Sequence, residues 1–194
     1  MLSMLNANTG LWVGVGVAVV LLLVVVWVFT TYNSLVKLKN NVEEGFATMD
    51  VYMKKRYDLV PNLVETVKGY AKHEKDTLTA VMDCRNSALK ATNMKDKAQS
   101  ESQLTESIKS LFALAENYPD LKANTNFLEL QQELTSIEQD IANSRKYYNS
   151  VVKMLNNKVE MFPSNVIARW FKFTRKDMFE VTSSAERENV KVQF

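Results

Sequence analysis

Polar positions are absent from one stretch near the start of the chain, and beyond it apolar positions recur every three or four residues. From Leu11 to Phe29, nineteen residues carry nothing polar beyond the indole N–H groups of Trp12 and Trp27, and the first charged side chain is Lys37. As a helix, this stretch is roughly 28 Å long, close to the hydrocarbon thickness of a bilayer. Its two tryptophans lie near the ends, where indole rings favour the membrane–water interface. No basic residue precedes it, and Thr30-Thr31-Tyr32-Asn33 follows without a small-residue cleavage site. The pattern therefore predicts a retained anchor, not a cleaved signal peptide. A transmembrane helix is expected over 11–31, behind a short N-terminal tail at 1–10.

Three helical runs follow. The first places Leu35, Leu38, Val42, Phe46, Met49, Met53, Tyr57, Val60, Val64, Val67 and Ala71 on one stripe, which resumes at Leu78, Val81 and Ala88. This is helical periodicity over more than fifty residues. Pro61 falls inside it and removes a backbone donor, but the stripe keeps its phase, so a kink is expected there and not a reversal. The polar stretch from Lys90 to Gln103 reads as a connecting loop. A shorter run from Leu104 to Tyr118 stops at Pro119. The third begins at Asn126, with Glu129 at capping-box spacing, and carries a heptad-like seam from Phe127 to Phe162, ending at Pro163.

Turn formers are scarce. Of five glycines only Gly45 and Gly69 lie in the body, and the prolines are Pro61, Pro119 and Pro163. Such a chain supplies neither the hairpins of a sheet nor a Gly-rich phosphate loop. The expected fold class is all-α: an N-terminal transmembrane helix, then an elongated antiparallel helical bundle with a long first helix kinked near Pro61. The bundle is expected over 32–172, with a short fourth element from Asn165 to Phe171, and 173–194 forms a partly irregular C-terminal tail.

Charge adds orientation and removes some functions. The net charge is +2, with acids and bases interspersed, which disfavours nucleic acid as a partner. Lys37 and Lys39 follow the anchor closely while the tail before it has no Lys or Arg, so the positive-inside tendency puts the body in the cytoplasm. The single cysteine, Cys84, has no intramolecular partner and no assignable activating base. His73 is the only histidine, so a two-histidine zinc site is impossible, and Glu74 beside it points elsewhere on a helix. No catalytic residue, metal site or cofactor is expected, and the Glu and Lys residues of the outer helix faces read as solvated surface.

Two constellations stand out. Around Pro61, the run Lys54-Lys55-Arg56-Tyr57-Asp58-Leu59-Val60-Pro61-Asn62 mixes basic, acidic and amide groups. Carbonyls freed by Pro61, with Arg56, Asp58 and Asn62, are candidates for binding a partner or another helix. Equally, Asp58 and Asn62 at i, i+4 suit a local hydrogen-bonded pair that supports the kink. Near the other end, Arg169-Trp170-Phe171-Lys172-Phe173-Thr174-Arg175-Lys176 alternates aromatics with cations. That mixture suits an anionic membrane surface, with Arg169, Lys172, Arg175 and Lys176 at lipid headgroups and Trp170 and Phe173 in the interface. The competing reading has Trp170 and Phe173 cover the end of the bundle.

At these residues the chain resembles the LemA family of bacterial membrane-anchored helical proteins. The likeness rests on Asp50-Val51, on the run from Lys55 to Glu74 through Pro61-Asn62, and on Leu114-Ala115-Glu116-Asn117-Tyr118-Pro119-Asp120-Leu121-Lys122-Ala123-Asn124. It continues in Phe127, Leu130, Gln131, Glu133-Leu134, Arg145, Tyr148-Asn149, Phe162-Pro163-Ser164-Asn165 and Ala168. Where such proteins often carry a Trp-Ser pair, this chain reads Gly45-Phe46-Ala47-Thr48. The resemblance implies a single-pass inner-membrane protein with an antiparallel helical bundle, and it implies no catalytic residue and no cofactor.

Two functional classes follow. One is a non-catalytic scaffold that self-associates as a homo-oligomer through its long helices. Its expected surface is the membrane-proximal stripe Leu35, Leu38, Val42 and Phe46, which the shorter later helices leave uncovered. The other is an adaptor that presents a tethered bundle to another membrane protein, such as a protease or signalling receptor.

Overall fold

A computed structural model describes residues 2–180, with side chains from Trp12 onward. The side chains of the tail expected at 1–10, and the stretch 181–194 of the expected C-terminal tail, lie outside the described residues. Among the described residues every regular element is helical: α1 (Leu2–Tyr70), α2 (Lys75–Lys90), α3 (Met94–Ala115), α4 (Pro119–Lys122), α5 (Thr125–Glu160) and α6 (Ser164–Trp170). The all-α expectation holds, and α1 runs on through Pro61 without reversing.

The chain divides into two compact units, one formed by the chain up to Glu43 with Val151–Lys176, the other by Glu44–Ser150 with the chain from Asp177. In the second unit, cross-helix contacts fix the directions of four helices. Gly45 lies against Tyr147 and Tyr148, and the Asn124 amide donates to the Tyr70 hydroxyl at 2.9 Å, so α5 runs antiparallel to α1. Lys97 pairs with Asp50, and Tyr118 donates to Glu74 at 3.0 Å, so α3 runs parallel to α1. Arg85 reaches Tyr57, so α2 runs back along α1. The result is an up-down-up-down four-helix arrangement. At Gly45 the first and fourth of these come close: a Cβ there would stand 3.2 Å from the Tyr147 ring and 3.4 Å from the Tyr148 backbone.

Three expectations about boundaries are corrected. The first run does not continue to Ala88: α1 ends at Tyr70, and Ala71, Lys72, His73 and Glu74 turn the chain into α2. Ala71 and Leu78 are seven residues apart, so the stripe stays in phase although the chain turns back between them. The loop expected from Lys90 to Gln103 is mostly helix. α3 starts at Met94, capped by Asn93, whose side chain accepts from the Asp96 amide at 2.8 Å. That stretch looked solvated because two of its inward residues, Ser100 and Glu101, are polar. The cap of α5 is Asn124, accepting from the Phe127 amide at 3.0 Å, while Asn126 is exposed.

The first unit contains the apolar part of α1, the end of α5, α6 and the segment after it. From Trp12 to Phe29 the apolar side chains are largely exposed, and this helix is long and apolar enough to cross a membrane. Burial begins within the last turn of the apolar run: Val28 is half-buried, Thr31 and Leu35 are buried. α6 ends in a left-handed cap, with Lys172 at φ 58° and the Phe173 amide donating to the Ala168 carbonyl at 2.8 Å. This turn lays Phe171 and Phe173 on Tyr32, with ring centroids 4.7 and 6.0 Å away.

The uncovered stripe is also corrected. Leu35 and Val42 are buried and Leu38 is half-buried within the first unit, while Phe46 is half-buried beside Tyr148 in the second. The chain's own returning segments cover what neighbouring copies were expected to cover.

Candidate functional site

Helical phase puts Arg56 on the inward face of α1, between Met53 and Val60, where a guanidinium meets no water. Its side chain is 1% exposed. One terminal nitrogen donates to Glu101 on α3; the other donates to Glu138 on α5 and, at 2.9 Å, to Thr105 on α3. Thr105 also donates to Glu138 at 3.2 Å, and the hydroxyl of Tyr57 donates to the second oxygen of Glu101. Glu101 is as buried as Arg56, whereas the Glu138 side chain is 37% exposed. Burial, then the neighbouring Glu101 charge and the bond to it, push the Tyr57 hydroxyl well above its ordinary range, so it stays a neutral donor. One cation thus holds two carboxylates, and the cluster ties three helices together.

Pro61 acts through the same turn of α1. A residue without an N–H at position 61 leaves the Tyr57 carbonyl, four residues earlier, without its helical donor. Arg85 of α2 supplies the substitute, donating through Nε to that carbonyl at 2.6 Å. The freed carbonyl thus binds another helix, which is one of the two readings of this motif. Asp58 and Asn62 do not pair with each other: both side chains are exposed, and the Asn62 carbonyl accepts from Thr66 at 2.8 Å. A double-mutant cycle tests the assignment. Arg85→Met should cost about 1.5–3 kcal/mol beside Pro61, the range for a charge-assisted bond. It should cost clearly less beside Pro61→Ala, where the helix satisfies the carbonyl itself. An interaction energy of about 1–2 kcal/mol is expected from urea unfolding; strict additivity of the two changes would refute it.

Among the described residues, two recesses of this unit bear on binding. A groove of about 790 Å³ runs between α1 and α2, with Val64, Leu78 and Met82 along it and Lys72, Lys75 and the Lys68–Glu65 ion pair around it. A second, of about 330 Å³, opens beside Arg56 and Glu138, against Phe112 and Leu134. His73 is exposed in the α1–α2 turn and Cys84 is half-buried on α2.

The basic-aromatic segment falls in the first unit. Trp170 is 76% exposed and stacks on Phe171, so it does not cover the bundle; Phe173, half-buried on Tyr32, does. Arg169, Lys172, Arg175 and Lys176 are all exposed, and Arg175 pairs with Glu160 at 2.7 Å. Asn156 holds the Lys176 backbone through two bonds, donating to its carbonyl and accepting from its amide, both at 2.9 Å.

Sequence reasoning missed several of these residues. Glu101, Thr105 and Glu138 sat among ordinary helical polar residues, with no pairing visible. Asn149 holds the Phe179 backbone in the second unit as Asn156 holds Lys176 in the first, with bonds of 3.0 and 2.8 Å. The available signal was their seven-residue spacing on α5, beside the apolar seam.

These features define a class: an all-helical protein whose apolar N-terminal helix can cross a membrane and whose charged interior is bonded to itself. A model of the LemA family matches residues 45–194, and the chain belongs to that family. It is similar to Protein LemA of Metamycoplasma hominis, 25% identical over 162 residues that cover 81% of this chain and 72% of that relative.

Proposed function

We propose that the chain is a membrane-anchored interaction protein without catalytic chemistry, an adaptor that offers its four-helix unit to a membrane-protein partner. The observation that carries this reading is the use made of the buried ionisable groups. Arg56, Tyr57 and Glu101 bond to one another and so hold helices together, a structural role. What this unit offers outward is the α1–α2 groove, whose apolar length suits an amphipathic helix and whose rim, with Lys68 paired to Glu65, leaves Lys72 and Lys75 to meet acidic edges. Self-association through Leu35, Leu38, Val42 and Phe46 is weakened as a reading, because within one chain Leu35 and Val42 are buried and Leu38 and Phe46 half-buried. Association of identical chains retains one supporting observation: Gly14 and Gly16 stand in open space on the apolar span, where small residues permit close helix approach.

The anchor is assigned to the bacterial inner membrane with the body cytoplasmic. Lys37 and Lys39 support this, as do Arg169, Lys172, Arg175 and Lys176, which belong to the same unit as the end of the span.

The test is a photoreactive residue in place of exposed Thr79, which lines the groove, with exposed Gln132 on α5 as control. Cross-linking in cells should join Thr79, and not Gln132, to a second membrane protein, and Met82→Glu should abolish the adduct. An adduct only to another copy of this chain, or none at all, would reject the adaptor reading. In a Cys84→Ser background, Lys95→Cys should resist a membrane-impermeant maleimide on intact cells; labelling would reverse the orientation.

A further inference from the structure

The end of α5 and α6 expose more apolar surface than any packing role in this unit explains. Phe162 is 82% exposed and Trp170 76%, and Met161, Val166 and Phe171 are exposed with them. α6 turns Ile167 and Ala168 inward, yet Val166 and Trp170, four residues apart on its outer side, are apolar too. A short surface helix that is apolar on both sides needs a second apolar environment.

The position of this surface says which environment. The apolar run of α1 ends at Phe29, and Tyr32, three residues on, is in ring contact with Phe171 and Phe173. Three residues of helix advance about 4.5 Å, less than the thickness of a headgroup layer. The half-burial of Val28 agrees, since the packed part of this unit starts within the last apolar turn. The charge of the unit points the same way. Its basic residues are Lys37, Lys39, Lys153 and Lys158, then Arg169, Lys172, Arg175 and Lys176; its only acids are Glu43 and Glu160, for a net charge of +6. With +2 for the whole chain, the rest sums to −4. Lys172 holds a left-handed conformation that glycine would adopt without strain, so a cation is kept there at some conformational cost.

We propose that Phe162, Val166, Trp170 and Phe171 insert into the headgroup layer of the bilayer that α1 crosses, and that the neighbouring cations bind anionic phospholipid. The unit is then held at the membrane by two attachments, the span and this foot. The inference rests on the anchor reading, and its test separates the two. The full chain with Trp12→Phe and Trp27→Phe leaves Trp170 as sole indole fluorophore. It is reconstituted, one copy per nanodisc, in phosphatidylcholine alone or in equal parts phosphatidylcholine and phosphatidylglycerol. A companion carrying Trp12→Phe and Trp170→Phe reports on Trp27 and so on insertion of the span.

With phosphatidylglycerol present, Trp170 should emit at shorter wavelength and be quenched by spin labels near the lipid carbonyls. Aqueous iodide should quench it several-fold less than in the Phe162→Ser, Val166→Ser variant. Removing phosphatidylglycerol, or introducing Lys172→Glu with Lys176→Glu, should reverse the shift, since each basic residue near an anionic leaflet strengthens attachment about fivefold. Iodide access to Trp170 in both lipids, with Trp27 shielded, overturns the foot and leaves the anchor standing. Equal lipid quenching in both compositions overturns the anionic-lipid assignment. Shielding that arises only with two copies per disc assigns the surface to a second chain and overturns the proposal.

Discussion

Replacing Arg56 with methionine should destabilise the bundle by about 3–5 kcal/mol, because it strands Glu101 as an unpaired charge in the interior. The loss is set by the partner left behind. Glu138 retains access to water, so Glu138→Gln should cost only about 1 kcal/mol, although it removes a charge paired with the same guanidinium. Removing the whole cluster should cost far less than removing its cation. In the triple variant Arg56→Met, Tyr57→Phe, Glu101→Met no buried charge or hydroxyl is orphaned, and most of the stability should return. Urea unfolding in detergent, followed by far-ultraviolet circular dichroism, measures all four proteins. If the triple variant were no more stable than Arg56→Met alone, the buried charge of Glu101 would not be the source of the loss.

Phe179→Ala should produce the second large effect, and a more local one. Phe179 is 1% exposed, and Arg145 lies 5.1 Å from its ring centre. Truncating a buried phenylalanine typically costs about 3–5 kcal/mol. The backbone around it is held by the Tyr148 hydroxyl, which donates to the Asp177 carbonyl at 2.8 Å, and by the two bonds from Asn149. Residues 177–180 are non-helical, so they can detach without unfolding a helix. Detachment caps the loss at the docking energy of the segment, since its released backbone is then hydrated. Trypsin should therefore cut after Lys176 much faster in Phe179→Ala, and in Asn149→Ala, while helicity stays nearly unchanged. Unchanged cleavage would mean that Phe179 does not hold the segment in place.

The sequence by itself determined the all-α class, an N-terminal helix able to cross a membrane, and the family. Leu11 to Phe29 is long and apolar enough to cross a membrane as a helix, and the scarcity of glycine and proline excluded a sheet. The run around Pro61 carried the family resemblance, and it also carried half of the internal network: Arg56 and the proline that frees the Tyr57 carbonyl. What those groups meet was decided only by tertiary structure. Apolar spacing reports which face of a helix is covered, and it is blind to the direction of the chain. A stripe in phase from Ala71 to Leu78 therefore looked the same for one straight helix as for two antiparallel ones. The covering of Leu35 and Val42 was hidden for the same reason, since periodicity says that a face is buried without saying by which copy. Glu101 and Glu138 were illegible because a carboxylate is solvated by default. Only the arrival of Arg56 from another helix, far away in the sequence, makes its burial affordable.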